Sequence, residues 1–387
     1  MLSSPRDTRV AFSITNCICF DQRVMKIAGT LEKLDCTITI IGRRLGKCCD
    51  EDIVPFRTKR FRMLFRRGFF FYKFYNVRLF FYLLFHRYDI LVANDLDTLV
   101  PNYLVSRLKK IPLAYDSHEY FTGVPELNGR PFVRKIWKVM ESAIFPHLKY
   151  VMTVSDSVAE QYFKEYRIRP AVVRNCSPDS SSSASFTRRE LGTPEKHFLL
   201  VFQGGGINID KGGEELIDAV KILENVSLLI LGSGDVLSSL KTKTKELGLS
   251  DRIRFFPKMQ WKEMIRYTRS ADAGLSLEKD TNLNYRFSLP NKLFDYFSAG
   301  IPVIAGDLPE IRKIIDDNEC GILIPAITPE EISKAVIRIK DDRAFLNKLK
   351  QNAVNASGSL NWEKESVKVF EFYKRILSEN YGIAKEI

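Results

Sequence analysis

Four short segments of the sequence combine residues that could bind a phosphate or act on a sugar. The first is the glycine-rich loop Gly204-Gly205-Gly206, which is followed by Lys211 and lies between a predicted strand and a predicted helix. Glycines let backbone amides approach a phosphate closely, and a lysine at a helix start adds a cation beside the positive end of the helix dipole. The loop therefore predicts a phosphate site, the alternative being a tight turn with a surface lysine.

The second segment is the start of a later predicted helix. Ser288 or a neighbour can cap this helix, and Pro290 suits its first turn. Asn291 and Lys292 then place a donor and a cation where the helix dipole favours an anion, so a diphosphate fits there. Asp295 follows one turn later and can accept a hydrogen bond from a sugar hydroxyl. The alternative is an ordinary capped helix with a solvated carboxylate.

Two further predicted strands end in polar side chains. One strand ends at Asn94-Asp95-Leu96-Asp97, and the next ends just before His118, one of only four histidines. Because parallel sheets place their sites at the carboxyl ends of strands, we take His118 and Asp95 as candidate catalytic residues; Asp97 can instead be a simple helix cap. Paired aspartates can hold a divalent metal, but two cationic helix starts already offer phosphate sites, so we expect no metal cofactor.

These segments need a scaffold, and the pattern of the chain predicts an α/β one. A length of 387 residues, with 45% hydrophobic and 27% charged residues, suits two globular domains. Apolar strands alternate with helical patterns in both halves, which predicts two doubly wound parallel sheets with a ligand cleft between them. The predicted strands are residues 10–14, 36–42, 90–93, 112–115, 198–202, 227–231, 273–277, 302–305 and 321–324.

The domain boundaries follow from composition. We predict an N-terminal domain at residues 1–178 and a linker at 179–193, because its serine-rich start cannot bury an apolar face. A second domain is predicted at 194–361. The last segment, 362–387, is an amphipathic helical pattern that we expect to pack back toward the N-terminal domain.

Residues 57–88 form a basic and aromatic run. They contain nine lysines and arginines and no aspartate or glutamate, and the chain as a whole has a net charge of +12. Cations interleaved with aromatics predict a helix lying on an anionic membrane surface. One alternative is that the helix packs on the sheet and leaves only its basic face free, through a stripe comprising Phe70, Phe74, Val77, Phe81 and Leu84. Another alternative, stacking on nucleic-acid bases, predicts strongly salt-dependent RNA binding, but nucleic acid is not the expected partner.

The chain has no apolar run at its start and no stretch of about 18 uncharged apolar residues. We therefore expect a cytoplasmic protein that is peripheral on the inner face of the cell membrane.

Six segments together resemble glycosyltransferase family 4, and more narrowly a bacterial subgroup that builds cell-surface polysaccharides. They span both predicted domains. The segments are Thr15-Asn16 with Asp21-Gln22-Arg23-Val24, residues 93–99, residues 115–119, Thr153-Val154-Ser155, residues 204–212 and residues 288–302.

The resemblance implies a GT-B fold, with two Rossmann-like domains facing across a cleft, the nucleotide-sugar donor on the second domain, a glycan or lipid-linked acceptor on the first, and retention of the anomeric configuration. By position, Lys211 matches the lysine that contacts the donor phosphates, and Asp295 the acidic residue that holds the ribose. His118 matches the histidine near the transferred sugar, while Asn291 and Lys292 fall beside the diphosphate.

The sequence departs from the family pattern at two positions. The first of the two acidic residues usual in the motif is replaced by Phe287, and the usual arginine of the phosphate loop is Gly205. Arg286 and Glu278 are close enough in sequence to supply the missing cation and carboxylate. The expected activity is therefore a retaining glycosyltransferase; the alternatives are a nucleotide-sugar epimerase of the same fold and an inactive nucleotide-sugar or lipid-binding protein.

Overall fold

The structure is a computed structural model that describes residues 8–44, 54–127 and 129–382. The chain divides into two compact units. The first unit comprises residues 1–175 and 365–387, and the second comprises residues 176–364.

The first unit is built on a seven-stranded parallel sheet. Its strands are β1 (Thr8–Ser13), β2 (Cys36–Arg43), β3 (Arg57–Phe61), β4 (Ile90–Asn94), β5 (Leu113–Ser117), β6 (Tyr150–Thr153) and β7 (Ala171–Val172), in the order β3-β2-β1-β4-β5-β6-β7. Its helices include α1 (Gln22–Glu32), α2 (Gly68–Phe85), α3 (Leu96–Lys109), α4 (Pro131–Ile144) and α5 (Asp156–Tyr166). The central strands β1, β4 and β5 are almost wholly buried, as expected for a parallel sheet covered on both faces.

The second unit repeats this plan with six parallel strands. They are β8 (Phe198–Gly204), β9 (Val226–Gly232), β10 (Ile253–Pro257), β11 (Ala273–Ser276), β12 (Val303–Gly306) and β13 (Gly321–Ile324), in the order β10-β9-β8-β11-β12-β13. The helices are α6 (Gly213–Ile222), α7 (Leu237–Glu246), α8 (Trp261–Arg269), α9 (Leu283–Arg286), α10 (Asn291–Ser298), α11 (Pro309–Asn318), α12 (Pro329–Asp341) and α13 (Arg343–Ser359). Two buried clusters, one on each face of the sheet, form its core.

Each sheet has a topological switch point, where the chain leaves neighbouring strands in opposite directions. In the first unit β1 pairs with β4, and in the second β8 pairs with β11. Crevices at the carboxyl ends of such strand pairs are the usual ligand sites of doubly wound sheets. The predicted fold class of two doubly wound parallel sheets is confirmed.

The unit boundaries differ from the predicted domain boundaries. Residues 179–193 belong to the second unit, where the hydroxyl of Ser180 donates to the carbonyl of Ser298 at 2.6 Å and Phe186 packs against the core. These two contacts attach the segment to the second unit. The last helix, α14 (Trp362–Tyr381), contributes residues 365 onward to the first unit.

No helix in the described part of the chain is long and apolar enough to span a bilayer.

Candidate active-site clusters

The two candidate catalytic residues of the first unit lie together at the ends of adjacent strands. Asn94 of β4 is in register with Asp116 of β5, so Asp95 and His118 follow side by side. The backbone N–H of His118 donates to Asp95 Oδ1 at 2.8 Å, and His118 Nδ1 lies 3.5 Å from Asp95 Oδ2. On its other side, His118 Nε2 lies 3.2 Å from Asp116 Oδ2. The imidazole is therefore held between two carboxylates.

A buried arginine completes this cluster. Arg23 of α1 is 2% exposed and binds Asp116 in a bidentate manner, with Nε to Oδ2 at 2.9 Å and Nη2 to Oδ1 at 2.6 Å. Its Nη1 also donates to the carbonyl of Val173 at 2.6 Å. Sequence reasoning did not assign Arg23 or Asp116 a role. The available signal was that Arg23 lies among the apolar residues that α1 turns toward the sheet.

The charges of this cluster decide what His118 can do. Burial alone would lower the pKa of His118, but Asp95 and Asp116 together raise it to about 10. Burial would likewise raise the pKa of Asp116, yet Arg23 and then His118 hold it well below its usual range. The raised pKa favours the imidazolium form of His118, in which both ring nitrogens carry a proton.

Asp95 and Asp97 differ from Asp116 in the direction of their pKa shifts. Burial raises the pKa of each to about 7. Asp97 accepts a hydrogen bond from the hydroxyl of Thr15, which follows β1, so it faces the switch point and does not act as a helix cap. Asp95 has φ of +59° and ψ of 167°, a conformation nearly restricted to glycine that costs about 1–3 kcal/mol. Such strain is typical of functional positions.

The second unit carries a cationic cluster at its own switch point. Lys211 follows the glycine loop after β8, Glu278 follows β11, and Lys292 lies in the first turn of α10. Lys292 Nζ is 2.8 Å and Lys211 Nζ is 3.7 Å from Glu278 Oε1. The side chains of Glu278 and Lys292 are 0% and 9% exposed, whereas that of Lys211 is 24% exposed. The structure brings both predicted phosphate-binding lysines to one carboxylate.

The pKa values of Glu278 and Lys292 reflect burial and the opposite charges around them. Burial alone would raise the pKa of Glu278, but Lys292 and Lys211 lower it to about 2. Burial lowers the pKa of Lys292, and Glu278 opposes that effect. Because two lysines surround a single carboxylate, the fully ionised cluster has a net charge of +1. It is therefore suited to receive an anion.

The glycine loop packs differently along its length. A Cβ at Gly205 would meet only Lys258 Nζ, at 4.0 Å, so space is open beside it. A Cβ at Gly212, whose φ is +73°, would lie 2.5 Å from the Cβ of Leu277. Gly212 is thus required by packing against the residue that precedes Glu278. Gly204 and Gly206 have no Cβ contact closer than 3.5 Å, so the front of the loop leaves room for a ligand.

Asp295 lies in a separate, internal polar cluster. It is 4% exposed, and its Oδ1 accepts from Ser177 at 2.5 Å and from the indole N–H of Trp261 at 2.7 Å. Its Oδ2 accepts from Gln203 at 2.9 Å. A ribose would have to compete with these donors, so the assignment of Asp295 to the ribose stays a prediction.

The remaining predicted donor contacts lie before α10. Ser288 is not the helix cap, because its hydroxyl donates to the carbonyl of Tyr285 at 2.8 Å, and Pro290 occupies the N-cap without a side-chain bond. Asn291 is exposed as the first residue of α10. Arg286 is 53% exposed and lies 3.8 Å from Asp280, so it is a surface cation. Glu278, the other proposed replacement, is the counter-ion of the lysines.

Within residues 8–44, 54–127 and 129–382, no group of three or more histidine, cysteine and acidic side chains is arranged to hold a metal ion. Asp95 and Asp97 have different partners, His118 and Thr15. The expectation that no metal is needed stays a prediction.

Family models match both units of the chain. The model described as Glycosyltransferase Family 4 matches residues 22–176, and the one described as Glycosyl transferases group 1 matches residues 184–356. Together they cover most of the sequence and meet near the boundary between the units.

The similar proteins are distant in sequence. The chitobiosyldiphosphodolichol beta-mannosyltransferase of Candida albicans is 24% identical over 271 residues, which cover 63% of this chain and 57% of that protein. The lipopolysaccharide core biosynthesis glycosyltransferase LpsD of Rhizobium meliloti is 28% identical over 162 residues, covering 42% of this chain and 45% of that protein. The chain thus spans about half the length of the curated relatives it matches.

The fold likeness is more extensive. Anabaena HepE, solved in complex with UDP-glucose, superposes with a TM-score of 0.75 over 95% of this chain and 99% of that one, at 15% identity. At this identity the likeness establishes the fold alone, which is the two-sheet GT-B fold. Since its first unit matches family 4 and its second matches the group 1 glycosyl transferases, the chain belongs to glycosyltransferase family 4 of the GT-B enzymes.

Proposed function

We propose that this protein moves a sugar from a nucleotide diphosphate donor to a glycan or lipid-linked acceptor, with retention of configuration, in cell-envelope polysaccharide synthesis at the inner face of the membrane. The observation that carries the proposal is the pair Lys211 and Lys292 around the single carboxylate Glu278, next to an open glycine loop. Because the fully ionised cluster has a net charge of +1, it attracts a negatively charged diphosphate.

The names of related proteins support the same class of substrates. HepE was solved with UDP-glucose, and LpsD is named for lipopolysaccharide core biosynthesis. Both names fit a nucleotide-sugar donor and an envelope glycan.

In the proposed reaction the bond between the anomeric carbon and the diphosphate oxygen breaks while the acceptor oxygen bonds to the same carbon. Negative charge grows on the leaving diphosphate, and Lys211, Lys292 and the start of α10 stabilise it, each such preorganised group contributing several kcal/mol. The acceptor attacks from the face that the diphosphate leaves, and its proton passes to a phosphate oxygen. No protein nucleophile takes part, and no metal is needed because the lysines supply the positive charge.

The first-unit cluster has a complementary task. His118, as an imidazolium, keeps its Nε2–H on Asp116 and offers its Nδ1–H, which lies 3.5 Å from Asp95, to a hydroxyl group of the sugar or acceptor, while Asp95 accepts from such a hydroxyl. The carboxylates also favour the positive charge that develops at the anomeric carbon. His118 therefore orients the reactants and does not remove the acceptor proton.

The first test is ligand-induced thermal stabilisation with UDP, GDP, ADP and CMP nucleotides and their sugars. Selective binding raises the melting temperature by mass action, so one nucleotide class should stabilise the wild type and lose most of that effect in Lys211→Ala. Lys211 suits this test because its side chain is partly exposed. No shift with any nucleotide in a folded sample would refute the proposal.

Turnover distinguishes the remaining alternatives. A transferase releases the nucleotide diphosphate only when acceptor is present, and the release should survive EDTA. An epimerase converts the donor without any acceptor, and an inactive binding protein is stabilised by nucleotide yet releases none. Either result would replace the proposed activity.

A further inference from the structure

Helix α2 is apolar on both of its faces. Its inner side chains Phe71, Tyr75, Leu79 and Leu83 are at most 3% exposed and pack on the first unit. The stripe that sequence analysis considered as a packing face is turned outward instead. The exposed apolar residues are Leu64 (89%), Phe65 (36%), Phe69 (65%), Phe70 (55%), Phe74 (51%), Val77 (49%), Phe81 (51%) and Phe85 (77%). We call this set the outer stripe.

The phenylalanines of the outer stripe form two stacked groups. Phe65, in the loop before α2, stacks on both Phe70 and Phe74 with ring centroids 5.4 Å apart, and Phe81 stacks on Phe85 at 6.3 Å. Phenylalanine cannot hydrogen-bond to water, so leaving such a set of side chains exposed costs solvation free energy. Contiguous exposed apolar patches of this kind mark interaction surfaces.

Cations border the outer stripe. The exposed basic residues of this segment include Arg62, Arg66, Arg67, Lys73 and Arg78. Two of the loop's carbonyls are fixed by arginines, since Arg78 donates to the carbonyl of Arg62 at 2.6 Å and Arg43 to that of Arg66 at 2.9 Å. No acidic residue occurs between positions 57 and 88 to neutralise these charges.

We infer that the outer stripe of α2 docks the protein in the plane of an anionic lipid surface. Phenylalanines enter the acyl boundary while the arginines and lysines meet lipid phosphates, which is how interfacial helices bind. Contact with the same face of a second copy of this chain is disfavoured, because it would bring the arginines and lysines of the two copies against each other. A nucleic acid is disfavoured because Phe65 already stacks on Phe70 and Phe74, and Phe81 on Phe85, so these rings cover one another's faces, which bases would have to stack on.

The docked helix is joined directly to the first-unit cluster. Asn76 of α2 donates to the carbonyl of Asp97 at 2.9 Å, and Tyr75 donates to the carbonyl of Ile14 at 2.5 Å, next to Thr15. When α2 is bound to the membrane, these hydrogen bonds therefore hold the first-unit cluster close to the lipid surface. A lipid-linked acceptor would reach it without leaving the bilayer.

The test is vesicle co-sedimentation of the full chain, with phosphatidylcholine alone and with added phosphatidylglycerol. We expect binding only to the anionic vesicles. Phe70→Ser/Phe74→Ser/Phe81→Ser should weaken it at least about tenfold. Arg62→Ser/Arg66→Ser/Arg67→Ser should weaken it by about 100-fold, at about 1 kcal/mol per charge. The matched control, Ile222→Ser/Val354→Ser/Val367→Ser, changes three equally exposed apolar residues elsewhere and should bind as the wild type does.

Nucleotide-induced stabilisation is measured on the same variants, so that misfolding and loss of the proposed activity are separated from loss of docking. Variants that keep the nucleotide response but lose vesicle binding support the inference. Full vesicle binding by the phenylalanine variant overturns it. So does a wild type that ignores vesicles but binds RNA or dimerises through the same residues.

Discussion

The two units place opposite charges at equivalent points of the same topology. In the first unit, Asp95 and Asp97 follow β4, and Asp116 lies near the end of β5. His118 lies between Asp95 and Asp116, Arg23 binds Asp116, and Asp97 binds Thr15 after β1, so three carboxylates accompany two cations. In the second unit, the residues after β8 and β11, together with the start of α10, bring two lysines to one glutamate. The fully ionised clusters therefore differ in sign.

The comparison separates what the fold provides from what the side chains provide. Both switch points offer a crevice at the ends of strands, because strand order alone creates it. Under the proposed function, the charge of each crevice selects its ligand, which is a diphosphate for the second unit and hydroxyl groups with a developing sugar cation for the first. Each of the following experiments substitutes residues of one cluster and leaves the other unchanged.

The largest effect is expected for Lys292→Met. The substitution removes a cation from the leaving diphosphate, and loss of one such donor typically lowers kcat/KM by about 10²–10³-fold. Steady-state kinetics with the donor identified by thermal stabilisation would measure it. The control is Lys243→Met, which breaks a pair with Asp218 outside the cluster and should leave kcat/KM within about twofold.

Lys292→Met also leaves Glu278 buried without its closest cation, at a cost of about 3–5 kcal/mol. The double variant Lys292→Met/Glu278→Gln removes the stranded charge and should recover much of the stability without the activity. If the double variant regained the activity, Lys292 would be a structural residue only.

His118→Ala should reduce turnover by about 10²-fold, because the imidazolium between Asp95 and Asp116 is lost. Binding of the nucleotide should change little, since His118 belongs to the first unit. The exposed His147 provides the control, as His147→Ala should keep both properties. Unaltered turnover in His118→Ala would remove this residue from the site.

The sequence could predict the scaffold of this comparison but only part of its chemistry. Buried parallel strands are continuous apolar runs, so β1, β4, β8 and β11 could be located within a few residues. The placement of Asp95 and His118 at the same edge of the sheet could be predicted because both follow apolar strands. Arg23 and Asp116 are 93 residues apart, and nothing local in either segment indicates their contact.

Two helices could not be predicted correctly because their sequences lack an amphipathic pattern. The first turns of helix α3, which begins at Leu96, bury Thr98, Pro101 and Asn102, so they carry no amphipathic pattern from which the start of the helix could be predicted. Helix α2 is apolar all round, so periodicity could not decide which stripe faces the sheet.

The clusters should also respond oppositely to pH. Asp97 has its pKa raised to about 7, so between about pH 4 and 7 the folded state holds a proton that the unfolded state has lost, and stability falls as pH rises. Asp97→Asn keeps the acceptor for Thr15 and should be more stable than the wild type by up to about 4 kcal/mol at pH 8. Below pH 4 the two proteins should be alike.

Glu278 has its pKa lowered to about 2, so it contributes stability that is present above its ordinary pKa and is lost as the pH falls toward 2. Glu278→Gln should therefore be less stable than the wild type at pH 7, with a gap that closes on acidification. Urea unfolding of both variants across this pH range would measure the two slopes. Slopes of the same sign would contradict the assignment of opposite charge to the clusters.

The smallest change in stability is expected within the glycine loop. Gly205→Ala adds a methyl group where the only neighbour is Lys258 Nζ at 4.0 Å, so the free energy of unfolding should change by less than about 0.5 kcal/mol. Gly212→Ala adds the same group at φ +73° and 2.5 Å from Leu277 Cβ, and should destabilise by well over 1 kcal/mol. If the front of the loop contacts the diphosphate, Gly205→Ala weakens nucleotide binding while its melting temperature without ligand stays that of the wild type. Unchanged affinity in a stable Gly205→Ala protein would confine the phosphate site to Lys211, Lys292 and the start of α10.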